Sequence, residues 1–430
     1  MRDPAASSPA ASSPAAPSPV AASAPPAADR PPRVRMTTAE RRATAGLAGI
    51  FGLRMLGMFI VLPVLALYAE GLPGGADHTL VGIALGAYGL AQAVLQVPFG
   101  FASDRWGRKP VIVAGLVIFA LGSFVAAWAP TIQWTIAGRV LQGAGAISAA
   151  VLALTADLTR DAVRTRAMAA IGMTIGATFA LSLVAGPLLT NLIGVPGIFV
   201  LTGVLALTAI VALQRVVPMA PPPVAPAEGD WRRVLADGQL LRLNYGIFAL
   251  HAALMALFVQ VPFMLRDAGL AAPRHWQVYL PVLLASIVLM LPAMMNADRP
   301  GRSKPIFVGA VALLFVGQAL LALAGPSLAL LVTALVVFFT AFNLLEAKLP
   351  SMVSKYAPPS ARGTASGVYS SVQFLGVFTG GAVGGWLSQH YGPPAVFGFC
   401  LALTALWLAA GATMSAAPAY NRADLTMGET

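Results

Sequence analysis

Ionisable side chains sit inside long apolar runs, among them Arg54, Arg139, His251, Glu346 and Lys348. A charge at the centre of a bilayer helix costs about 2.5–3.5 kcal/mol on insertion scales, so such groups normally face the protein interior and serve a purpose there. Glu346 is the type of group that could alternately bind a proton and a substrate; a fixed ion pair with a cationic neighbour is the rival reading. His251 is the single histidine within an apolar run, because His78, His275 and His390 lie in or beside the loops between runs. Imidazole changes charge near working pH, which suits proton exchange, and a satisfied structural donor is the alternative. Arg139 is expected to work on such a site or to satisfy carbonyls between helices. Arg54, set deep in the first run, could attract an anionic group or pair with a helix end. Asn244, Tyr245, Gln260, Asn343 and Gln373 could add polarity to a shared cavity. Met58, Phe258, Met264, Phe338, Phe339 and Phe374 could form an adaptable apolar wall or plain core. The types together allow proton exchange at one carboxylate and one imidazole. With no metal cluster, nucleophile elbow or phosphate loop beside them, no enzyme activity, metal or cofactor is expected. One cysteine, Cys400, leaves no intramolecular disulfide to form.

The elements that must position these groups follow from composition. Of 430 residues 58% are hydrophobic and 10% charged, with a mean hydropathy of +0.78; soluble chains carry about 25% charged residues. The chain therefore belongs in a bilayer, and its net charge of +11 orients it there rather than marking a nucleic-acid partner. Runs long enough to cross about 30 Å of hydrocarbon lie at 44–68, 79–99, 110–128, 132–156, 167–191, 195–214, 241–265, 276–296, 305–324, 327–349, 363–388 and 394–414. They are too long and too little alternating for barrel strands, so they predict an all-α membrane protein of twelve transmembrane helices. Lys and Arg crowd the termini and every second loop (Arg105, Arg108, Lys109; Arg160, Arg164, Arg166; Arg232, Arg233; Arg299, Arg302, Lys304; Lys355, Arg362). Positive-inside bias then puts both termini in the cytoplasm of a bacterial-type inner membrane.

The expected organisation is a disordered tail over 1–42, a six-helix bundle over 43–216, a Pro-rich cytoplasmic linker over 217–239, a second bundle over 240–416, and a short tail over 417–430. Residues 1–42 lack the apolar core of a signal peptide. The halves echo each other. Pro98, Asp104, Arg105, Gly107 and Arg108, at the end of the second run and in the loop after it, have the spacing of Pro292, Asp298, Arg299, Gly301 and Arg302 at the end of the eighth and in its loop. Two parallel six-helix halves are a recurrent transporter plan.

These residues carry a family resemblance. Gly100 through Asp104, Arg105, Gly107, Arg108 and Lys109 resembles the signature loop of the major facilitator superfamily, with Ala102 where Leu is usual. Arg139, Gln142, Gly143 and Gly145 resemble its proton-relay motif. Leu56-Gly57 and Leu62-Pro63 resemble the motif of its twelve-span drug/proton antiporters, and Gly186-Pro187 retains part of another, with Ser182, Thr190 and Asn191 at three of its glycine positions. Phe342 to Ser354 and Gly363 to Gly376 look most like the YajR-type branch. The resemblance covers about residues 44–416. It implies the major facilitator fold and, for Arg139, a bias on a nearby carboxylate's protonation. It implies a latch in which Asp104 faces the N-terminus of the eleventh helix and Arg108 pairs with Asp157. The expected activity is proton-coupled efflux of small, partly apolar compounds by a monomer that alternates access; import by a facilitator or proton symporter is the alternative. A non-transporting sensor would need neither the duplicated loop nor a buried Arg139.

Overall fold

The computed structural model describes residues 35–219, 231–297, 299, 301–358 and 361–415. The expectations for residues 1–34, for the C-terminal tail, for the Pro-rich middle of the linker, and for Asp298 and Pro300 lie outside the described residues, while Thr38 to Arg42, expected within a disordered tail, are helical. All regular elements among those described are helical: α1 (Thr38–Phe59), α2 (Leu62–Glu70), α3 (His78–Trp106), α4 (Arg108–Ala127), α5 (Ile132–Ala144), α6 (Ser148–Asp157), α7 (Asp161–Arg215), α8 (Trp231–Ala236), α9 (Gly238–Asp267), a 3-10 turn (Ala272–Arg274), α10 (Trp276–Ala297), α11 (Ser303–Leu323), α12 (Leu328–Tyr356), α13 (Arg362–Tyr391) and α14 (Pro393–Ala412).

Ten segments are long and apolar enough to cross a membrane by length and composition. Gly194, at φ +66°, breaks α7 just before Pro196 and makes two crossings of it. Helix α13, 30 residues long, adds one more, its apolar content diluted by Gly, Ser and Gln. The described residues thus hold twelve helical segments of crossing length. Two are discontinuous. The first stops at Phe59 and restarts at Leu62, with Pro63 in the new first turn, where its missing N–H costs nothing. The fourth breaks between α5 and α6 at Gly145. Broken helices free backbone carbonyls, and within a bilayer the protein itself must satisfy them.

At its start α1 carries a reciprocal cap: Glu40 N–H donates to Thr37 Oγ1 and Thr37 N–H to Glu40 Oε2 at 2.7 Å. The same carboxylate takes the Arg160 guanidinium at 2.7 and 3.0 Å, which raises the pKa of Arg160 and ties α1 to the turn before α7. These groups share one face with Arg105, Arg108 and Lys109, called here the basic face; the α2–α3 and α9–α10 turns lie on the opposite face.

Helix α9 is the most interior, with 94% of its most apolar stretch buried. Helices α3 and α13 touch backbone to backbone on their opposite-face halves. A Cβ on Gly86 would stand 2.9 Å from the Phe378 carbonyl, and one on Gly89 2.7 Å from that of Phe374. Only a small-residue face permits such an approach. Towards the basic face Gly363 and Gly367 of α13 have open space where a side chain would stand. Between these levels Phe179 (α7) meets Phe59 (α1) at 5.2 Å and Phe258 (α9), Phe339 and Phe342 (α12) at 6.2–6.3 Å. The halves thus touch on the opposite face and through rings midway, and leave open space beside Gly363 and Gly367 towards the basic face.

Candidate functional site

In the first six crossings two arginines converge on one tyrosine. Arg54 (α1) and Arg139 (α5) are each 1% exposed. Their guanidiniums lie 5.8 and 5.2 Å from the Tyr88 ring centre. Arg54 donates to Tyr88 Oη at 2.7 Å, Gln92 Oε1 at 2.6 Å, Ser148 Oγ at 3.3 Å and the Gly145 carbonyl at 3.1 Å. The last is a carbonyl freed by the α5–α6 break, so the discontinuity and the buried cation satisfy one another. Gln92 Nε2 passes the chain to Gln96 Oε1 at 2.8 Å. Arg139 donates to the Ala84 carbonyl at 3.3 Å and to Gln142 Oε1 at 2.8 Å, and Gln142 donates to Ser123 at 2.8 Å. Every hydrogen-bond acceptor that the structure gives these two cations is neutral. Two full charges therefore project a positive potential through a medium that screens weakly. Arg54→Met would remove the donor that Tyr88, Gln92, Ser148 and Gly145 share, leaving Gln92 Oε1 only a 3.3 Å bond from Tyr88 and the Gly145 carbonyl only its 2.9 Å bond from the Ile147 N–H. It is expected to lower stability by about 1–3 kcal/mol, read as a fall in the thermal midpoint of purified protein.

In the last six crossings the imidazole and the carboxylate come together. His251 (α9) Nδ1 donates to the Ile247 carbonyl at 3.3 Å, and Gln373 (α13) Nε2 donates to His251 Nε2 at 2.7 Å, the assignment that suits a neutral ring. Glu346 (α12) Oε2 stands 3.8 Å from the same Nε2 and is buried with no hydrogen-bond partner. The rest of the Glu346 side chain is 35% exposed, so the carboxylate has one buried oxygen beside the ring and an open flank. Phe342 packs at 5.9 Å from the imidazole. A buried carboxylate oxygen with no donor is costly to leave so, and protonating either partner supplies one. The two clusters meet at the midline: Tyr88 touches Phe374 at 6.3 Å, next in sequence to Gln373.

The other candidates fall elsewhere. Tyr245 Oη donates to the Leu403 carbonyl at 2.9 Å and serves α9–α14 packing. Asn343 Nδ2 donates to Ser286 at 3.0 Å, joining α12 to α10. Gln260 Oε1 accepts from Ser388 at 2.8 Å on the opposite-face side. Asn244 is buried on α9 about two turns before His251. Lys348 Nζ donates to Ser303 at 3.2 Å.

On the basic face, Arg108 pairs with Asp157 at 3.0 Å, donates to Ser103 at 2.8 Å and is bonded to Asp104. Ser103 in turn donates to the Gly100 carbonyl at 2.8 Å, and Gly107 turns the chain into α4 at φ +94°. Arg105 is exposed in the last turn of α3. Among the described residues no hydrogen bond joins Asp104 to α13, and its partner is Arg108.

Sequence reasoning passed over Tyr88, Gln92 and Gln96. Their spacing of four made them legible as one polar stripe along an otherwise apolar helix. It also passed over Glu70 and Arg266, whose 2.6 Å ion pair bridges α2 and α9 on the opposite face.

Comparison with known proteins gives one consistent picture. Residues 47–381 and 275–424 match the Major Facilitator Superfamily. The chain is 47% identical over 389 residues to the inner membrane transport protein YajR of Escherichia coli (strain K12), covering 89% of this chain and 86% of that protein. It is 28% identical over 349 residues to the multidrug resistance protein MdtH of Aeromonas hydrophila, covering 78% of this chain and 85% of the relative. Among solved structures, a D-xylose–proton symporter superposes with a TM-score of 0.70 at 16% identity, over 88% of this chain and 98% of that one.

Proposed function

The chain belongs to the Major Facilitator Superfamily, as a transporter of the YajR type, and from that premise we propose that it exports small, partly apolar compounds in exchange for protons. The bundles over 43–216 and 240–416 rock about the shared midline, with both termini and the basic face in the cytoplasm. The Lys and Arg of that face support this orientation, and the name of the relative, an inner membrane transport protein, supports the compartment.

One observation carries the reading: an unbonded Glu346 oxygen lies 3.8 Å from His251 Nε2, on a side chain that is 35% exposed. With the ring neutral, Gln373 donates to Nε2. A proton arriving at Nε2 ends that bond and turns a donor towards Glu346. Proton and substrate then compete for one carboxylate, and a carrier that reorients with one or the other bound is an antiporter. Arg54 and Arg139 supply fixed positive charge in the facing half. Asp104, Arg108 and Asp157 latch the cytoplasmic side once Asp104 reaches the N-terminus of α13.

Proteoliposomes holding an internal pH dye test the exchange. A panel of antibiotics and dyes should include compounds whose movement one way drives protons the other way. Flux of a panel member with no pH response would replace the reading with a facilitator, and proton movement in the same direction would replace it with a symporter.

A further inference from the structure

Across the opposite face the halves are joined by groups outside the exchange site. Glu70, at the end of α2, accepts from Arg266 of α9 at 2.6 Å through Oε2, while its Oε1 lies 3.7 Å from His78 Nε2. His78 begins α3, and its backbone N–H donates to Gln389 Oε1 at 2.8 Å. The ring stacks on Phe263 of α9 at 4.9 Å and 2°, and its Nδ1 lies 3.2 Å from Ser388 Oγ of α13. Ser388 spends its own proton on Gln260, so it accepts from His78 and Nδ1 is the ring's donor. In the neutral ring the Nε2 lone pair therefore faces the Glu70 carboxylate.

We infer that His78, Glu70 and Arg266 form an outer clasp that acid outside the cell strengthens, holding the carrier closed to that side. The sign follows from which contacts opening would break. Glu70 and His78 belong to the same half, so their attraction after protonation survives opening and favours neither state. The Glu70–Arg266 pair, the bond to Ser388 and the stack on Phe263 cross between halves and are lost. Charge on the ring strengthens the last two, because charge-assisted hydrogen bonds are about twice as strong as neutral ones and a cation on an aromatic face is attracted. The other charged groups facing the ring offset one another. Arg266 lies over the same Phe263 ring, 5.3 Å from its centre, with its charge met by Glu70 at 2.6 Å and by Asp267 at 3.2 Å. Asp77 caps α3 through Thr79, whose hydrogen bond holds that carboxyl below its usual range. His390 turns its Nδ1 to the Trp386 carbonyl of its own helix. Acid outside raises the drive for proton entry while this clasp resists opening, so export should pass through a maximum as external pH falls.

The inference rests on alternating access and is tested with the exchange site silenced. Spin labels at Pro130→Cys and Pro326→Cys, on outer turns of the two halves, are placed in full-length protein carrying His251→Gln, Glu346→Gln and Cys400→Ala in nanodiscs. Between pH 8 and pH 5 the closed-to-open ratio at the outer face should rise roughly tenfold, and His78→Gln should abolish most of that rise. A ratio that ignores pH, or a rise that persists in His78→Gln, would overturn the clasp but leave proton exchange standing. An outer distance that never changes, even with Glu70→Gln added to break the ion pair, would overturn the clasp and alternating access together.

Discussion

Glu346→Gln is expected to leave a carrier that still exchanges its substrate across the membrane but no longer accumulates it against a gradient. Glutamine keeps the shape and a carbonyl oxygen beside His251, and it removes the one carboxylate within the membrane-spanning core among the described residues. The proton then has no site at which to compete with substrate. Uphill, proton-driven transport in proteoliposomes should fall by about a hundredfold or more, while counterflow of labelled against unlabelled substrate persists within a few-fold, since the helices that rock are untouched. His251→Gln should cut uphill transport less, because Glu346 can still load a proton without the ring to share it. Wild-type uphill transport in both variants would remove the pair from the mechanism. Loss of counterflow together with uphill transport in Glu346→Gln would make the residue a substrate ligand alone.

A second large effect comes from a glycine. A Cβ on Gly381 would stand 2.9 Å from the Gly86 nitrogen and 3.0 Å from its Cα, both of them backbone atoms that a rotamer change does not move. Gly381→Val must therefore push α3 and α13 apart on the opposite face, where they are now in contact. Overpacking typically costs about 1–3 kcal/mol, here charged to the closed state alone, so the closed population should drop by about ten- to a hundredfold. The expected outcome is a folded carrier held open to the outside, with a longer outer distance and turnover lost by a similar factor. Gly363→Val, placed where no neighbour stands within 4 Å in this conformation, should leave the outer face closed. Equal outer distances in both variants would show that the contact does not set the conformation.

Much of this was legible in the sequence because bilayer physics leaves few choices. Twenty apolar residues must be helical, and Gly194 with Pro196 marked the break that divides α7 where the sequence divides its fifth and sixth runs. The expected limits were short where a helix outruns the hydrocarbon: α12 continues to Tyr356 and α3 to Trp106, because polar turns beyond the bilayer remain helical without being apolar. Within the site, Glu346 and His251 stood out as rare ionisable residues, whereas their adjacency across 95 positions needed the fold. Tyr245 and Gln260 show the limit of reading polarity as cavity lining, because each spends its hydrogen bond on a neighbouring helix. The Arg54 partners were hidden for another reason. One is the Gly145 carbonyl, a group every residue has, made available by a helix break that no side chain announces.

The central claim is that the two halves move reciprocally about the plugged midline, and paired distances test it most directly. One label pair spans the outer face at Pro130→Cys and Pro326→Cys, and a second spans the basic face at Trp106→Cys and Lys304→Cys, each in a Cys400→Ala background. As pH is stepped from 8 to 5 in nanodiscs, populations at the two faces should change in opposite senses, so that no condition lengthens both distances. Distances that lengthen together, or one face that moves while the other stays fixed, would contradict the account.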